Sequence, residues 1–181
     1  MASHYTSTVL KVKNRETKHA DELLFQMISN SKRSDREIAK ILRISQPSVT
    51  RKRKILENEG YIKEYTVIPD LQKMGYEILA FTFLQFSESR PELFTKAREW
   101  VKKRPCVIFS HNGEGFGMNS TVISLHKDYS AFSKLITQLR EDWQPNLRNI
   151  QSFIVSIKRK DLSIKPFSLR YLESCVCETK E

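Results

Sequence analysis

The chain has 181 residues, and its 31 Lys and Arg against 21 Asp and Glu give a formal net charge of +10. With 39% hydrophobic residues, among them 10 Phe, 6 Tyr and 2 Trp, it can bury a real core in one domain or two small ones, which excludes wholesale disorder. The basic balance favours a polyanionic partner. No run of about 18 apolar residues occurs and the N-terminus is polar and basic, so a soluble, intracellular protein with no membrane partner is expected. Cys106, Cys175 and Cys177 are too few for a disulfide framework and suit a reducing cytoplasm.

Charge is densest early. Residues 1–70 hold 14 basic and 9 acidic side chains, half of the net excess. Between Lys32 and Lys63 ten Lys and Arg meet only Asp35, Glu37, Glu57 and Glu59, and Arg51-Lys52-Arg53-Lys54 is unbroken. On charge alone this could be a solvated helix face. Residues 1–17, with Lys11, Lys13 and Arg15, read as a basic arm, which Lys18 continues.

Three helical patterns follow between Lys18 and Gly60. The first places Leu23, Leu24, Met27 and Ile28 on one stripe, with Asp21 and Glu22 near its positive end. The second opens on Ser34, with Glu37 three residues on as its capping-box partner, and runs through Ile38, Ala39, Ile41 and Leu42. The third starts at Ser45, tolerates Pro47 in its first turn and stops at Gly60. With only Arg43 and Ile44 between them, the second and third helices must cross steeply, which is the helix-turn-helix arrangement.

At about 100° per residue, setting Val49 inward brings Leu56 within about 20° of it. Pro47, Thr50, Arg51 and Lys54 then point outward, and Gln46 and Ser48 flank that face in the first turn, where a recognition helix meets base edges. Lys52 and Arg53 fall nearer the core boundary, from which their charges snorkel towards phosphates. After Gly60, Tyr61 to Ile68 has the composition for a short strand or wing. DNA is therefore the expected polyanion, with Gln46, Pro47, Ser48, Thr50, Arg51 and Lys54 in the major groove and Lys52, Arg53, Arg36 and Lys63 on phosphates.

The stretch from Asp21 to Tyr76 resembles the helix-turn-helix domain of the Lrp/AsnC (leucine-responsive and asparagine-regulator) transcription factors of bacteria and archaea, in an archaeal-type form. Asp21-Glu22-Leu23-Leu24, the EIAKIL of the second helix, the IS…SV of the third, the following LENEGYI and Gly75-Tyr76 carry the resemblance. One departure is that the family usually has an aliphatic residue where Arg53 stands and a basic one where Ile55 stands.

From Glu77 the pattern becomes strand, helix, strand, strand, helix, strand. Ile78 to Phe86 is apolar on both faces and predicts a strand covered on both sides. Helices are expected over Pro91 to Arg104 and Asp128 to Trp143, and further strands over Cys106 to Asn112, Met118 to Lys127 and Ile150 to Lys158. Two helices cover one face of a four-stranded sheet, and a second copy of the sheet is the simplest cover for the other, so a homodimer is expected.

The expected fold class is α+β, an N-terminal (winged) helix-turn-helix followed by a C-terminal ferredoxin-like βαββαβ αβ-sandwich domain. Its expected divisions are 1–17 arm, 18–70 DNA-binding domain, 71–76 linker, 77–160 effector and oligomerisation domain, and 161–181 C-terminal extension. In that extension Phe167, Leu169, Tyr171 and Leu172 predict a short extra strand or cover.

The resemblance extends over about residues 18–158 and implies a homodimer, tetramer or octamer in the nucleoid of the cytoplasm, with a small-molecule effector such as an amino acid bound beside the loop between the second and third strands. Here that loop contains Gly113, Glu114, Gly115, Phe116, Gly117, Met118 and Asn119, where the family usually has a glycine followed by an acid. It reads either as a flexible hairpin tip or as a cradle for a carboxylate.

No catalytic, metal or cofactor motif has credible spacing, and no enzyme is expected. The expected function is a sequence-specific DNA-binding transcriptional regulator. The alternative is a metabolite-sensing module with a weakly specific, architectural chromatin-binding role.

Overall fold

The structure, a computed structural model, describes residues 19–88, 91–159, 161, 163–170 and 172. Residues 1–17, Lys18, Tyr171, Cys175 and Cys177, singled out above, lie outside the described residues. The chain forms two compact units, the first made of the residues up to Ile68 together with those from Pro166 on, the second of Pro69–Lys165.

The first unit holds α1 (Ala20–Ser29), α2 (Asp35–Leu42) and α3 (Gln46–Asn58). Ser34 caps α2 with a full capping box: its hydroxyl accepts from the Glu37 amide, and the Glu37 carboxylate accepts from the Ser34 amide at 2.7 Å. Two of the free amides at the helix start are thereby satisfied. Ser45 accepts from the Ser48 amide at the start of α3, where Pro47 sits in the first turn and loses no hydrogen bond. Arg43, in left-handed conformation, ends α2 and lets the chain reverse within three residues. Leu23, Met27, Ile38, Ala39, Val49 and Leu56 close over one another as a single core, joined by Leu24, Leu42, Ile44, Tyr61 and Ile62 from its margin. No strand forms over residues 61–68. Tyr65, Val67 and Ile68 stay exposed, because the first unit's described residues hold no strand to complete a ladder with them.

The second unit, Pro69–Lys165, contains β1 (Ile78–Phe86), α4 (Pro91–Lys102), β2 (Val107–Gly115), β3 (Met118–His126), α5 (Tyr129–Trp143) and β4 (Leu147–Ser156). The sheet order is β2-β3-β1-β4 and every ladder is antiparallel. Asp128 caps α5 by accepting from the Ala131 amide at 2.7 Å. One sheet face is covered: Leu84 and Val122 pack with Trp100 of α4 and Leu135, Leu139 and Trp143 of α5. Asp142 accepts from both the Trp100 indole at 2.7 Å and Arg104 at 2.8 Å, joining the two helices.

Among the described residues, no helix covers the opposite face. Phe81 pairs with Ile123 on one side and Phe153 on the other, and Ile123 pairs with Phe109. Cross-strand partners share a face, so Phe109, Ile123, Phe81 and Phe153 form an apolar row across all four strands. Phe109 is 49% and Phe153 66% exposed. The expected cover on both sides of β1 is thus half present within one chain.

Two expectations differ in detail. The glycine-rich loop is almost absent: β2 runs on to Gly115, opposite Met118, leaving only Phe116 and Gly117 in the turn. Both have positive φ, 53° and 72°, as a two-residue hairpin turn requires. A short extra strand or cover is expected from Phe167, Leu169, Tyr171 and Leu172; among the described residues of that segment no strand forms, and Phe167, Leu169 and Leu172 are exposed.

Candidate nucleic-acid interface

α3 is anchored by Val49 and Leu56, both 0% exposed. With those two inward, Gln46, Pro47, Arg51 and Lys54 are exposed and Ser48 is half-buried. Arg36 on α2 and Lys63 after α3 are exposed as well. These side chains lie within one unit and can reach an anion without uncovering the core.

Three of the sequence-selected residues are placed differently. The wheel sets Thr50 outward, yet its hydroxyl donates to Asp35 Oδ2 at 2.7 Å. Arg53, expected on a phosphate, donates from Nε at 2.9 Å and from Nη2 at 2.5 Å to Asp35 Oδ1. Lys52 is buried, at 8% exposure. α3 leans on the first turn of α2 along this side, and a wheel drawn for one helix carries no record of its neighbour. Sequence reasoning passed over Asp35 because its partners stand 15 and 18 residues away.

Burial pushes the Asp35 carboxyl up, but the Thr50 hydroxyl and the Arg53 guanidinium outweigh it and hold the group below its ordinary value. A carboxyl depressed in the folded state stabilises the fold above its unfolded value, about 3.9, and that contribution is lost as the pH falls through the lower native value. The stability advantage of the wild type over Asp35→Asn is therefore expected to be full at neutral pH and to shrink below about pH 4. Urea titrations at pH 7 and pH 3 measure it, and an advantage that grows in acid would contradict the pairing.

The hairpin residues flank a second feature. A groove of about 990 Å3 runs between α4 and the edge strand β2, with Phe94, Arg98 and Lys102 on one side and Gly113, Glu114 and Asn119 among its other lining residues. The Asn119 amide is already committed: it donates to the Phe86 carbonyl at 2.8 Å and accepts from the Phe86 amide at 2.9 Å, fastening the hairpin to β1. Met118 is buried, whereas Phe116 is 89% exposed and makes an edge contact with Phe83. Of the selected set, Gly113, Glu114 and Asn119 line the groove, and the Asn119 side chain is held by Phe86. Among the described residues no three His, Cys, Asp or Glu side chains gather as a metal site, and no helix is long and apolar enough to cross a membrane.

No family model matches the chain. The HTH-type transcriptional regulator LrpA of Pyrococcus abyssi is 33% identical over 84 residues, 46% of this chain and 57% of LrpA. The chain thus spans little more than half the length of that relative. An uncharacterised HTH-type transcriptional regulator of Pyrococcus horikoshii, PH0061, is 25% identical over 147 residues, 81% of this chain and 97% of its own. Its crystal structure superposes with a TM-score of 0.67 over 86% of this chain and 96% of that one. An L-Met complex of the transcriptional regulator NMB0573 of Neisseria meningitidis shares the fold at TM-score 0.68 and 18% identity, over 81% of this chain and 91% of that one. The chain is thus similar in sequence to LrpA over part of its length, and it shares its fold with PH0061 and with an AsnC family transcriptional regulator of Agrobacterium tumefaciens, the latter at TM-score 0.67 and 16% identity.

Proposed function

We propose that the protein is a sequence-specific transcriptional regulator that binds double-stranded DNA as a homodimer, with no enzymatic activity, in the cytoplasm. In this reading residues 18–70 form a helix-turn-helix domain, 71–76 a linker and 77–160 a ferredoxin-like domain that pairs two copies and senses an effector. The observation that carries it is α3: a helix fixed at its inner face by Val49 and Leu56 turns Gln46, Pro47, Arg51 and Lys54 to solvent. The short turn from α2 to α3 and the β2-β3-β1-β4 order support the two domain assignments. The relatives' names agree with the function.

In the proposed complex Gln46, Pro47, Ser48, Arg51 and Lys54 enter the major groove, and Arg36 and Lys63 hold phosphates. Arg51→Ala is expected to weaken binding to a selected operator by about 1–3 kcal/mol and to relax the base preference at one position per half-site. Fluorescence anisotropy on the operator and its single-base variants measures this, and unchanged binding would remove Arg51 from the interface. The bare apolar row Phe109, Ile123, Phe81 and Phe153 supports pairing of two sheets face to face. The groove beside β2 has room for an amino-acid-sized effector. Thermal shift on adding free amino acids reports whether one binds.

A further inference from the structure

Asp35 is the first residue of α2, and it takes hydrogen bonds from two residues of α3. Thr50 Oγ1 lies 2.7 Å from Oδ2, and Arg53 Nε and Nη2 lie 2.9 and 2.5 Å from Oδ1. The Arg53 and Asp35 side chains are only 20% and 21% exposed. The Tyr65 hydroxyl, which donates to Glu57 at 2.5 Å, also lies within hydrogen-bond reach of the Arg53 guanidinium. This is unlike Lys54, one residue on, whose side chain stands in solvent.

A cation held this way is poorly placed to leave. Moving Arg53 to a DNA phosphate would strand a half-buried carboxylate with the Thr50 hydroxyl alone, and an uncompensated charge there costs more than one exposed phosphate contact returns. The location matters as well. The start of a helix attracts anions, and at α2 that place is already filled by a carboxylate whose charge Arg53 cancels. The pair therefore offers the DNA backbone neither attraction nor repulsion.

We propose that Asp35 is a specificity-determining residue of the DNA interface: by holding Arg53 and Thr50 it withdraws one cation from phosphate contact and leaves the choice of sequence to Gln46, Arg51 and Lys54. This rests on the DNA-binding reading above. Each phosphate contact strengthens binding to every sequence alike and adds nearly one unit to the log–log dependence on salt. Withholding one weakens non-specific binding and leaves the base contacts untouched, which raises the ratio between operator and random DNA.

The test uses the full chain, a selected operator and a random duplex, with anisotropy titrations across a salt series. Asp35→Asn releases Arg53, so the slope steepens by about one unit on both duplexes, random-duplex affinity rises about 3- to 10-fold and discrimination falls. The double variant Asp35→Asn/Arg53→Gln replaces a pair of zero net charge by a neutral pair and keeps the wild-type slope. The proposal is overturned if the double variant is flatter than wild type by about one unit, because Arg53 then already serves a phosphate. It is equally overturned if Asp35→Asn leaves slope and discrimination unchanged. Circular dichroism checks folding; where Asp35→Asn alone fails to fold, the double variant's slope decides between the same two results. A wild-type chain that binds neither duplex at low salt overturns the DNA-binding reading itself, whereas a binding wild type with a flattened double variant overturns only the role of Asp35.

Discussion

Phe153→Glu is expected to turn the protein into a monomer without unfolding it. Phe153 is already 66% exposed in a single chain, so a charge there leaves the helix-covered core intact. On the proposed dimer the same residue sits in the apolar row that meets its copy. Truncating an aromatic anchor at the centre of an interface costs about 2–4 kcal/mol, roughly 30- to 700-fold in dissociation constant. A two-fold interface carries the substitution twice, and a carboxylate adds its own desolvation. Sedimentation equilibrium at micromolar concentration reads the change, with circular dichroism as the control for folding. DNA affinity should fall with it, because two linked half-site contacts exceed one by about 10²–10⁴. A variant that remains a dimer would place the interface elsewhere.

Leu56→Ala is expected to act through the opposite route. Leu56 is 0% exposed and packs in the same cluster as Leu23, Ile38 and Val49. Removing its branched end should cost about 2–5 kcal/mol, a large share of the 5–15 kcal/mol that typically separates folded from unfolded chains. Urea denaturation measures the loss, and binding to any duplex should weaken as α3 loses its anchor. Arg51→Ala provides the contrast, since an exposed side chain carries little stability while its proposed base contact carries discrimination. A cost under about 1 kcal/mol for Leu56→Ala would mean that α3 is held by something other than this core.

Much of the first unit is legible in the sequence because its signals are local. The Ser34 capping box, Ser45 before Pro47, and Val49 seven residues from Leu56 all act within one or two helical turns. The burial of Lys52 and the bonds from Thr50 and Arg53 to Asp35 are not local. They depend on where α2 lies against α3, and no spacing along the chain encodes a contact between residues 35 and 53. In the second unit the strand and helix periods give the order of elements, and the ladder supplies the rest. Gly113 and Gly115 read as loop by composition, yet β3 opposite them extends β2 to the turn. Tyr61 to Ile68 shows the converse: strand-forming residues without a partner strand stay irregular. The bonds that tie Asn119 to Phe86 join residues 33 apart and likewise have no signature in local spacing.

In the proposed complex two copies of this chain read a DNA sequence through α3. In vitro selection of bound duplexes from a random pool, using the full chain, tests it most directly. Enrichment of a pseudo-palindrome whose half-sites lie about one helical turn apart, or a multiple of that, is expected. Recovery of an unenriched pool, or of a single asymmetric site without a repeated half, would contradict it.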